Sequence, residues 1–155
     1  MRAREPAIAD LLGSYPTFAA CEHHELAELA GLSGPFLLPP RWSFLHQGTP
    51  AHELYVITEG RAQVYRDRVP IAELGAGDVV GEMAFFGSGQ RQATVSSIDR
   101  LRGLRIPYEV LAELRLRWPG LVELIRGVCA ARHPVTGSHA PDAAAPSRSR
   151  SGFLA

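Results

Sequence analysis

The chain has 155 residues, 46% of them hydrophobic, which is enough for one buried core and too little for two full domains. Its 16 basic and 16 acidic residues cancel, so net charge supplies no long-range attraction to nucleic acid or to an anionic membrane. The basic residues are all arginine, and alanine, glycine and proline are abundant, so we expect a bacterial, GC-rich genome as the source.

The first predicted elements are helices, within residues 6–32. The segments PAIADLLGSY and CEHHELAELAGL carry apolar residues at helical spacing; in the second these are Leu26, Leu29 and Ala30. A short helical region therefore precedes the rest of the chain.

From Pro35 to Ile106 the pattern changes to short apolar runs separated by glycine and proline turns. Turns at such close spacing predict many short antiparallel strands, and so a sandwich or a barrel. The predicted strands are Phe36 to Leu38, Ser43 to His46, Leu54 to Thr58, Ala62 to Arg66, Ile71 to Leu74, Ala93 to Ser97 and Leu101 to Ile106.

Two further helices are predicted after the last strand. Pro107 occupies the position of a first helical residue, and the segment after it has one apolar stripe. After a Pro119-Gly120 break, a second helix has apolar residues at helical spacing from Leu121 to Val128. Residues 133–155 are rich in Pro, Ala, Ser and Gly, and we expect this tail to be disordered.

Cysteine spacing and hydropathy exclude several classes of protein. Cys21 and Cys129 form no CxxC or CxxCH motif, so thiolate metal sites, iron–sulfur clusters and covalent haem lack their ligands. The N-terminus has no apolar signal region, and no apolar run approaches the roughly 20 residues that span a bilayer. We expect a cytoplasmic protein with no membrane partner and with both thiols reduced.

Candidate chemistry is concentrated between Gly75 and Ser97, where Glu82 and Arg91 are charges among small and apolar residues. Glu82 follows a glycine and opens a short helical turn, whose free N–H groups stabilise an anion. The arginine fork matches two phosphate oxygens, and an ionised carboxylate suits a sugar hydroxyl. Together these residues describe a cradle for a ribose phosphate; the structural alternative is an internal ion pair or two solvated charges.

The segment GEMAFFGSGQRQATV resembles the phosphate-binding cassette of the cyclic nucleotide-binding domain family, which occurs in catabolite activators, kinase regulatory subunits and gated channels. The family pattern is G-E-x-A, a short loop, and then P-R-x-A-T/S-V. It is matched here by Gly81, Glu82, Ala84, Arg91, Ala93, Thr94 and Val95. Upstream, Gly48 and Gly60 fall on the glycine turns of the family, and the resemblance covers roughly residues 11–132.

The resemblance implies a mainly β fold with flanking helices: an antiparallel β-roll, which is a jelly-roll-like double-stranded β-helix, with N-terminal helices and C-terminal lid helices. It divides the chain into an N-terminal extension (1–10), the domain itself (11–132) and the tail. The implied ligand is a purine cyclic nucleotide, with cAMP expected and cGMP left open, and no other cofactor.

Roles for individual residues also follow from the resemblance. Glu82 would accept a hydrogen bond from the ribose 2′-hydroxyl, and Arg91 would pair with the cyclic phosphate beside Gly81. Backbone N–H groups near Met83, Ala84 and Ala93 would complete the cradle, and Thr94 would face the ligand or its base. Ligand binding would then move the C-terminal helices against the barrel.

Four positions depart from the family pattern. Gln90 stands in place of the proline before the arginine, and Gln92 stands in place of the small residue after it. Val80 replaces the phenylalanine before Gly-Glu, and Phe85 replaces the leucine after the alanine. In relatives, Ser or Thr at the position of Gln92 contributes to favouring guanine, so Gln92 leaves base preference open. Gln90 and Gln92 also favour an alternative, in which a degenerate domain no longer binds nucleotide and serves as an interaction or dimerisation module.

An enzyme or metal protein on a similar barrel is the remaining alternative. His23, His24, His46 and His52 lack the H-x-H spacing of metal-binding barrels, so we expect surface histidines and no metal site. No nucleophile lies in a recognisable catalytic context, so no catalytic residue is assigned. Trp118 precedes the helix break and is interpreted as a packing residue.

Catabolite-activator relatives bind DNA through an additional helix-turn-helix. The two C-terminal helices predicted here are too few to form one, so we expect no nucleic-acid partner. Output would go to an unknown effector protein or to a self-dimer through the Leu121 to Val128 helix.

Overall fold

Two four-stranded antiparallel sheets form the centre of the computed structural model, which describes residues 5–82, 85, 87 and 89–126. The first sheet has the order β1-β8-β3-β6, and the second has the order β2-β7-β4-β5. The strands are β1 (Gly34–Leu38), β2 (Ser43–Leu45), β3 (Glu53–Glu59), β4 (Ala62–Arg66), β5 (Val69–Leu74), β6 (Val79–Val80), β7 (Thr94–Ser97) and β8 (Leu101–Pro107). This architecture confirms the predicted β-roll with flanking helices, and each of the seven predicted strands is present.

The first sheet is covered on both faces at its centre, which explains why β3 contains a continuous run of buried apolar residues. On β3, Leu54 and Val56 pack toward the helices, whereas Tyr55 and Ile57 pack between the sheets. Because successive side chains of a strand point to opposite faces, one strand contributes to both cores. The second sheet is buried on its inner face only, through residues such as Val64 and Val95.

The helices cover the outer face of the first sheet. They are α1 (Glu5–Gly13), α2 (His23–Leu32), α3 (Tyr108–Arg117) and α4 (119–126), and a 3₁₀ turn (Pro16–Phe18) joins α1 to α2. A capping box, in which the side chain of Glu22 accepts from the N3 backbone and Glu25 reaches back to the N-cap, begins α2. None of the helices in the described part of the chain is long and apolar enough to span a bilayer.

The C-terminal helices are attached to α2 by polar contacts. The indole Nε1 of Trp118 donates to Glu28 Oε1 at 3.1 Å, and Arg117 forms an ion pair with the same carboxylate. Trp118 is therefore a packing residue, as predicted.

Two predictions about the C-terminal helices need correction. Pro107 was expected to be the first residue of the helix, but it is the N-cap of α3 and the last residue of β8. The φ that its ring imposes, −62°, is compatible with the extended backbone (ψ 146°) as well as with a helix. Part of the stripe that was offered for self-dimerisation is buried within the chain: Leu121 and Ile125 are at most 1% exposed in the core with α1 and α2, and Leu124 is half-buried. Val128, Cys129 and the tail (133–155) lie outside the described residues.

Candidate functional site

The site begins where β6 ends and the chain turns at Gly81. Its φ of +94° lies in the left-handed region that favours glycine. A Cβ placed on Gly81 would lie 2.5 Å from Nη1 of Arg91 and 3.3 Å from the carbonyl oxygen of Glu53. The glycine is therefore required both by the turn and by the close approach of the arginine. The next residue, Glu82, is helical and completely buried.

Arg91 is also buried, with 6% of its surface exposed. Its Nη2 donates to the carbonyl of Glu53 at 2.8 Å, and its Nη1 donates to the carbonyl of Gly81 at 3.4 Å. In the backbone, Arg91 N–H donates to Thr49 O and Arg91 O accepts from Gly48 N–H, both at 2.9 Å. The loop that contains Gly48 thus fixes the arginine main chain, and two carbonyls fix its guanidinium.

Within the described residues, Arg91 forms no ion pair with an acidic side chain. Its guanidinium donates to the neutral carbonyl oxygens of Gly81 and Glu53, although a buried cation is most stable beside an anion. A guanidinium with five donors in a fixed fork therefore retains the capacity to bind a phosphate.

Tyr108, the first residue of α3, belongs to this site and was missed in the sequence. Its hydroxyl donates to the carbonyl of Gly81 at 2.5 Å, so it shares that acceptor with Arg91. Its ring packs edge-on against Phe85, with centroids 5.1 Å apart. Burial raises the pKa of Tyr108 to about 12, so the hydroxyl remains a neutral donor at physiological pH. The sequence offered one signal for this role: Tyr108 is an aromatic residue with a hydroxyl group and follows the last strand directly.

The other predicted site residues are Met83, Ala84, Gln92, Ala93 and Thr94. Ala93 is completely buried and Gln92 half-buried, next to Arg91. Met83 and Ala84 lie outside the described residues. Gln90 is bridged to Pro50, which places the cassette beside the loop that precedes β3.

Thr94 contacts the loop that follows β2, and its predicted role toward the ligand or its base stays a prediction. Its Oγ1 accepts from the backbone N–H of Gln47 at 3.0 Å, on the outer face of the second sheet. Strand alternation explains this position, since Ala93 and Val95 point inward and Thr94 must therefore point outward.

The predicted surface histidines are exposed, as expected: His23, His24, His46 and His52. Within the described part of the chain, no group of three or more His, Cys, Asp or Glu residues has the arrangement of a metal site. The arrangement of Gly81, Glu82, Arg91 and Tyr108 thus combines a fixed cation, a buried carboxyl group and a neutral donor. Chemically, such a set is suited to an anion that carries hydroxyl groups.

Comparison with known proteins adds an independent observation. The family model described as the cyclic nucleotide-binding domain matches residues 38–117. The chain is 29% identical over 119 residues to a cyclic nucleotide-gated potassium channel of Rhizobium etli, covering 75% of this chain and 32% of the channel. It is 24% identical over 139 residues to a CRP-like cAMP-activated global transcriptional regulator of Mycobacterium tuberculosis, covering 86% of this chain and 62% of the regulator.

Among solved structures, the fold is similar to that of cAMP-bound PfPKA-R, with a TM-score of 0.77 at 15% identity. That similarity covers 88% of this chain and 47% of the other. The chain thus spans about a third of the channel and less than two thirds of the regulator.

Proposed function

The chain belongs to the cyclic nucleotide-binding domain family, and from this premise we propose that it binds cAMP and acts as a regulatory module. The observation that carries the proposal is the buried guanidinium of Arg91, which is held by carbonyl oxygens and forms no ion pair with a described carboxylate. The proposed role is regulatory and involves no catalytic step.

In this proposal the cyclic phosphate binds to Arg91. The two oxygens that a cyclic phosphodiester presents match the guanidinium fork, and hydrogen bonds between ions are about twice as strong as neutral ones. The phosphate would also form an ion pair with the buried arginine. Replacing the 3.4 Å contact between Nη1 and the carbonyl of Gly81 is therefore favourable.

Glu82 would accept the ribose 2′-hydroxyl. Its carboxyl group is completely buried directly after Gly81, the residue whose carbonyl Arg91 contacts. An ionised carboxylate accepts hydrogen bonds and repels phosphate, so a sugar hydroxyl is the part of the ligand that suits it. Arg91 would thus bind the phosphate, and Glu82 would bind the ribose.

We assign cAMP as the first ligand to test because the regulator of Mycobacterium tuberculosis is named as cAMP-activated. Gln92 is half-buried beside Arg91 and has both a donor and an acceptor. The base preference therefore remains to be measured with cGMP.

Output is proposed to begin at Tyr108. Its hydroxyl and Nη1 of Arg91 donate to the same carbonyl, so a phosphate that draws Arg91 away changes the hydrogen bonding of the first residue of α3. The other end of α3 is attached to α2 through Glu28. A change at the cassette would thus move α3 and α4 relative to the N-terminal helices, for an effector protein to detect.

The binding test is calorimetric titration of the purified chain with cAMP and with cGMP. We expect micromolar or tighter binding, weakened about tenfold or more in R91K, because an ammonium keeps the charge but loses the fork. R102K is the matched control, since Arg102 is exposed on β8 in an ion pair with Glu59 at 3.4 Å, and it should bind like the wild type.

The opposite outcome is no binding heat with either nucleotide, from protein that is folded and free of co-purified ligand. That result would support the degenerate interaction module that Gln90 and Gln92 favour. Loss of binding in both variants would show that the loss does not depend on which arginine is replaced, and it would contradict the specific role of Arg91.

The output test uses the fluorescence of Trp118 in a Trp42→Phe background. Because the Trp118 indole donates to Glu28 across the interface of the N- and C-terminal helices, its emission should shift when saturating cAMP moves α3. An unchanged spectrum under conditions where calorimetry shows full occupancy would contradict movement at this contact and leave nucleotide binding itself intact.

A further inference from the structure

A small cavity borders Arg91 on the side of the β2–β3 loop (residues 46–52). Its volume is about 170 Å³. The polar part of its lining comes from that loop, from β3 and from the cassette: His46, Thr49, His52, Glu53, Tyr55 and Arg91. Pockets that hold a whole small molecule measure about 300–1,000 Å³. This cavity therefore has room for one chemical group and not for a whole nucleotide.

Arg91 is the buried cation of this lining, with 6% of its surface exposed. The β2–β3 loop holds its main chain, since Arg91 N–H donates to Thr49 O and Gly48 N–H donates to Arg91 O, both at 2.9 Å. The loop is itself closed by Thr49, whose N–H and Oγ1 donate to His46 O at 3.2 and 2.7 Å. The positive charge and the loop that carries the histidines are therefore fixed relative to each other.

Glu53 is the acidic residue of this lining, and both of its carboxylate oxygens have partners. Its Oε2 accepts from the hydroxyl of Tyr55 at 2.7 Å, and its Oε1 forms an ion pair with Nε of Arg105 at 3.7 Å. While the imidazoles are neutral, the charges of Glu53 and Arg91 cancel within the lining. An anion then gains little from the cavity as a whole.

His46 and His52 supply a charge that changes with pH. Both are exposed, and neither forms an ion pair within the described part of the chain. Histidine is the side chain that ordinarily gains or loses its charge between about pH 5 and pH 8. Protonation of these two imidazoles would turn a lining that is neutral overall into a cationic one.

Five other charged or titratable groups lie at or beside the cavity: Glu53 and Tyr55 on β3, Arg91 in the cassette, Arg105 on β8 and Tyr108, whose N–H donates to His52 O at 2.8 Å. Arginine stays protonated in proteins. Burial raises the pKa of Tyr55, and burial raises the pKa of Tyr108 to about 12, so both hydroxyls stay neutral. A change of charge near neutral pH is therefore assigned to the imidazoles, and the variants below separate it from a carboxyl group.

We propose that this cavity binds a tetrahedral oxyanion, such as sulfate or a phosphate group, and that protonation of His46 and His52 strengthens the binding. The anion would contact the guanidinium of Arg91 and the N–H donors of the two imidazolium rings. Its source is either the phosphate of a bound nucleotide or a free oxyanion. The first case rests on the proposed function, and the second does not.

The size of the effect follows from the size of the cavity. A sphere of about 170 Å³ is about 7 Å across, so an anion inside it lies roughly that far from each imidazolium at the edge. Both histidines are exposed, so the dielectric constant of water applies. At that distance the attraction raises the affinity about threefold for each imidazolium, and about fivefold to tenfold for both.

The test uses two probes, cAMP and sodium sulfate, because sulfate keeps its charge over the pH range of interest. Binding of cAMP to the full chain is measured by calorimetry at about pH 5.5 and about pH 8 and at one ionic strength. Sulfate binding is followed through the NMR signals of the imidazoles. The variants are H46Q/H52Q and, as the matched control, H23Q, because His23 is an exposed histidine on α2 that pairs with Asp10. Thermal unfolding monitors folding at both pH values.

We expect the wild type and H23Q to bind cAMP about fivefold to tenfold more tightly at the lower pH, and H46Q/H52Q to change by less than about twofold. Sulfate should shift the signals of His46 and His52 at the lower pH and leave those of His23 unchanged. Competition between sulfate and cAMP would identify the nucleotide phosphate as the occupant of the cavity. Simultaneous binding would identify a free oxyanion.

The same pH dependence in H46Q/H52Q as in the wild type would assign the proton to a carboxyl group, such as that of Glu53 or Glu82, and would overturn the proposal. Sulfate shifts that are absent, or equally large at His23, would overturn it as well. A chain that binds sulfate in the expected pattern and gives no heat with cAMP would refute the proposed nucleotide function and retain the oxyanion site.

Discussion

Replacement of Gly81 by alanine tests the geometry of the site most directly, because the structure supplies a matched control. Gly81 and Gly48 both have left-handed backbones, with φ of 94° and 85°. A Cβ on Gly48 meets no atom within 4 Å, whereas a Cβ on Gly81 would lie 2.5 Å from Nη1 of Arg91. The two substitutions thus share the backbone strain and differ in the clash.

The expected free energies follow from these contacts. A left-handed alanine costs about 1–2 kcal/mol, which G48A and G81A share. In G81A the guanidinium must also move, which breaks its 2.8 Å bond to Glu53 O, and a hydrogen bond to a charged group contributes about 1.5–3 kcal/mol. The free energy of unfolding of G81A should therefore be about 2.5–5 kcal/mol lower than that of the wild type. For nucleotide affinity, the displaced arginine alone corresponds to about 10–150-fold.

Urea unfolding gives the free energies, and calorimetric titration with cAMP gives the affinities, both at one temperature and salt concentration. G48A should lose about 1–2 kcal/mol of stability and keep the wild-type affinity. Equal losses of stability in G81A and G48A, or equal affinities of the two variants for cAMP, would contradict the predicted clash with Arg91.

Three further predictions concern other parts of the molecule. E82Q should bind cAMP about tenfold or more weakly with little loss of stability, because a buried charge is removed and the shape is kept; equal losses in calorimetry and in urea unfolding would contradict this role. In the wild type, the raised pKa of Tyr108 (about 12, against 10.0) means that the unfolded state ionises first, so the free energy of unfolding falls as pH rises from 10 toward 12; urea unfolding of Y108F should show a shallower fall. L121A should lose about 2–5 kcal/mol in urea unfolding, because the side chain is 1% exposed, whereas L116A, at 84% exposed, should change by less than about 0.5 kcal/mol.

Strands and helices with strong local signals could be predicted from the sequence. The predicted and observed bounds of β4 coincide at Ala62–Arg66, because a glycine precedes and a tight turn follows a short alternating segment. The strand that was not predicted, Val79–Val80, has only two residues and is defined by its pairing with β3. A local pattern carries no information about that pairing.

Within the candidate site, Glu82 and Arg91 could be identified because a charge among small residues is conspicuous in a sequence. Tyr108 could not, since its contact with Gly81 joins residues far apart in the chain through one hydrogen bond. The apolar stripe of α4 was offered as one surface for a self-dimer because its spacing alone does not distinguish a second copy from the chain's own N-terminal helices, against which Leu121 and Ile125 pack.

The pairing of β1 with β8 has a consequence for how this chain folds. Gly34 lies opposite Arg105 and Leu38 opposite Leu101, so β1 must remain unpaired in its sheet until nearly the last strand has been synthesised. Such long-range pairing slows folding and exposes strand edges to aggregation in the meantime. On the ribosome, the β4–β5 hairpin can form early from local contacts, whereas closure of the first sheet must wait until residue 107 has emerged.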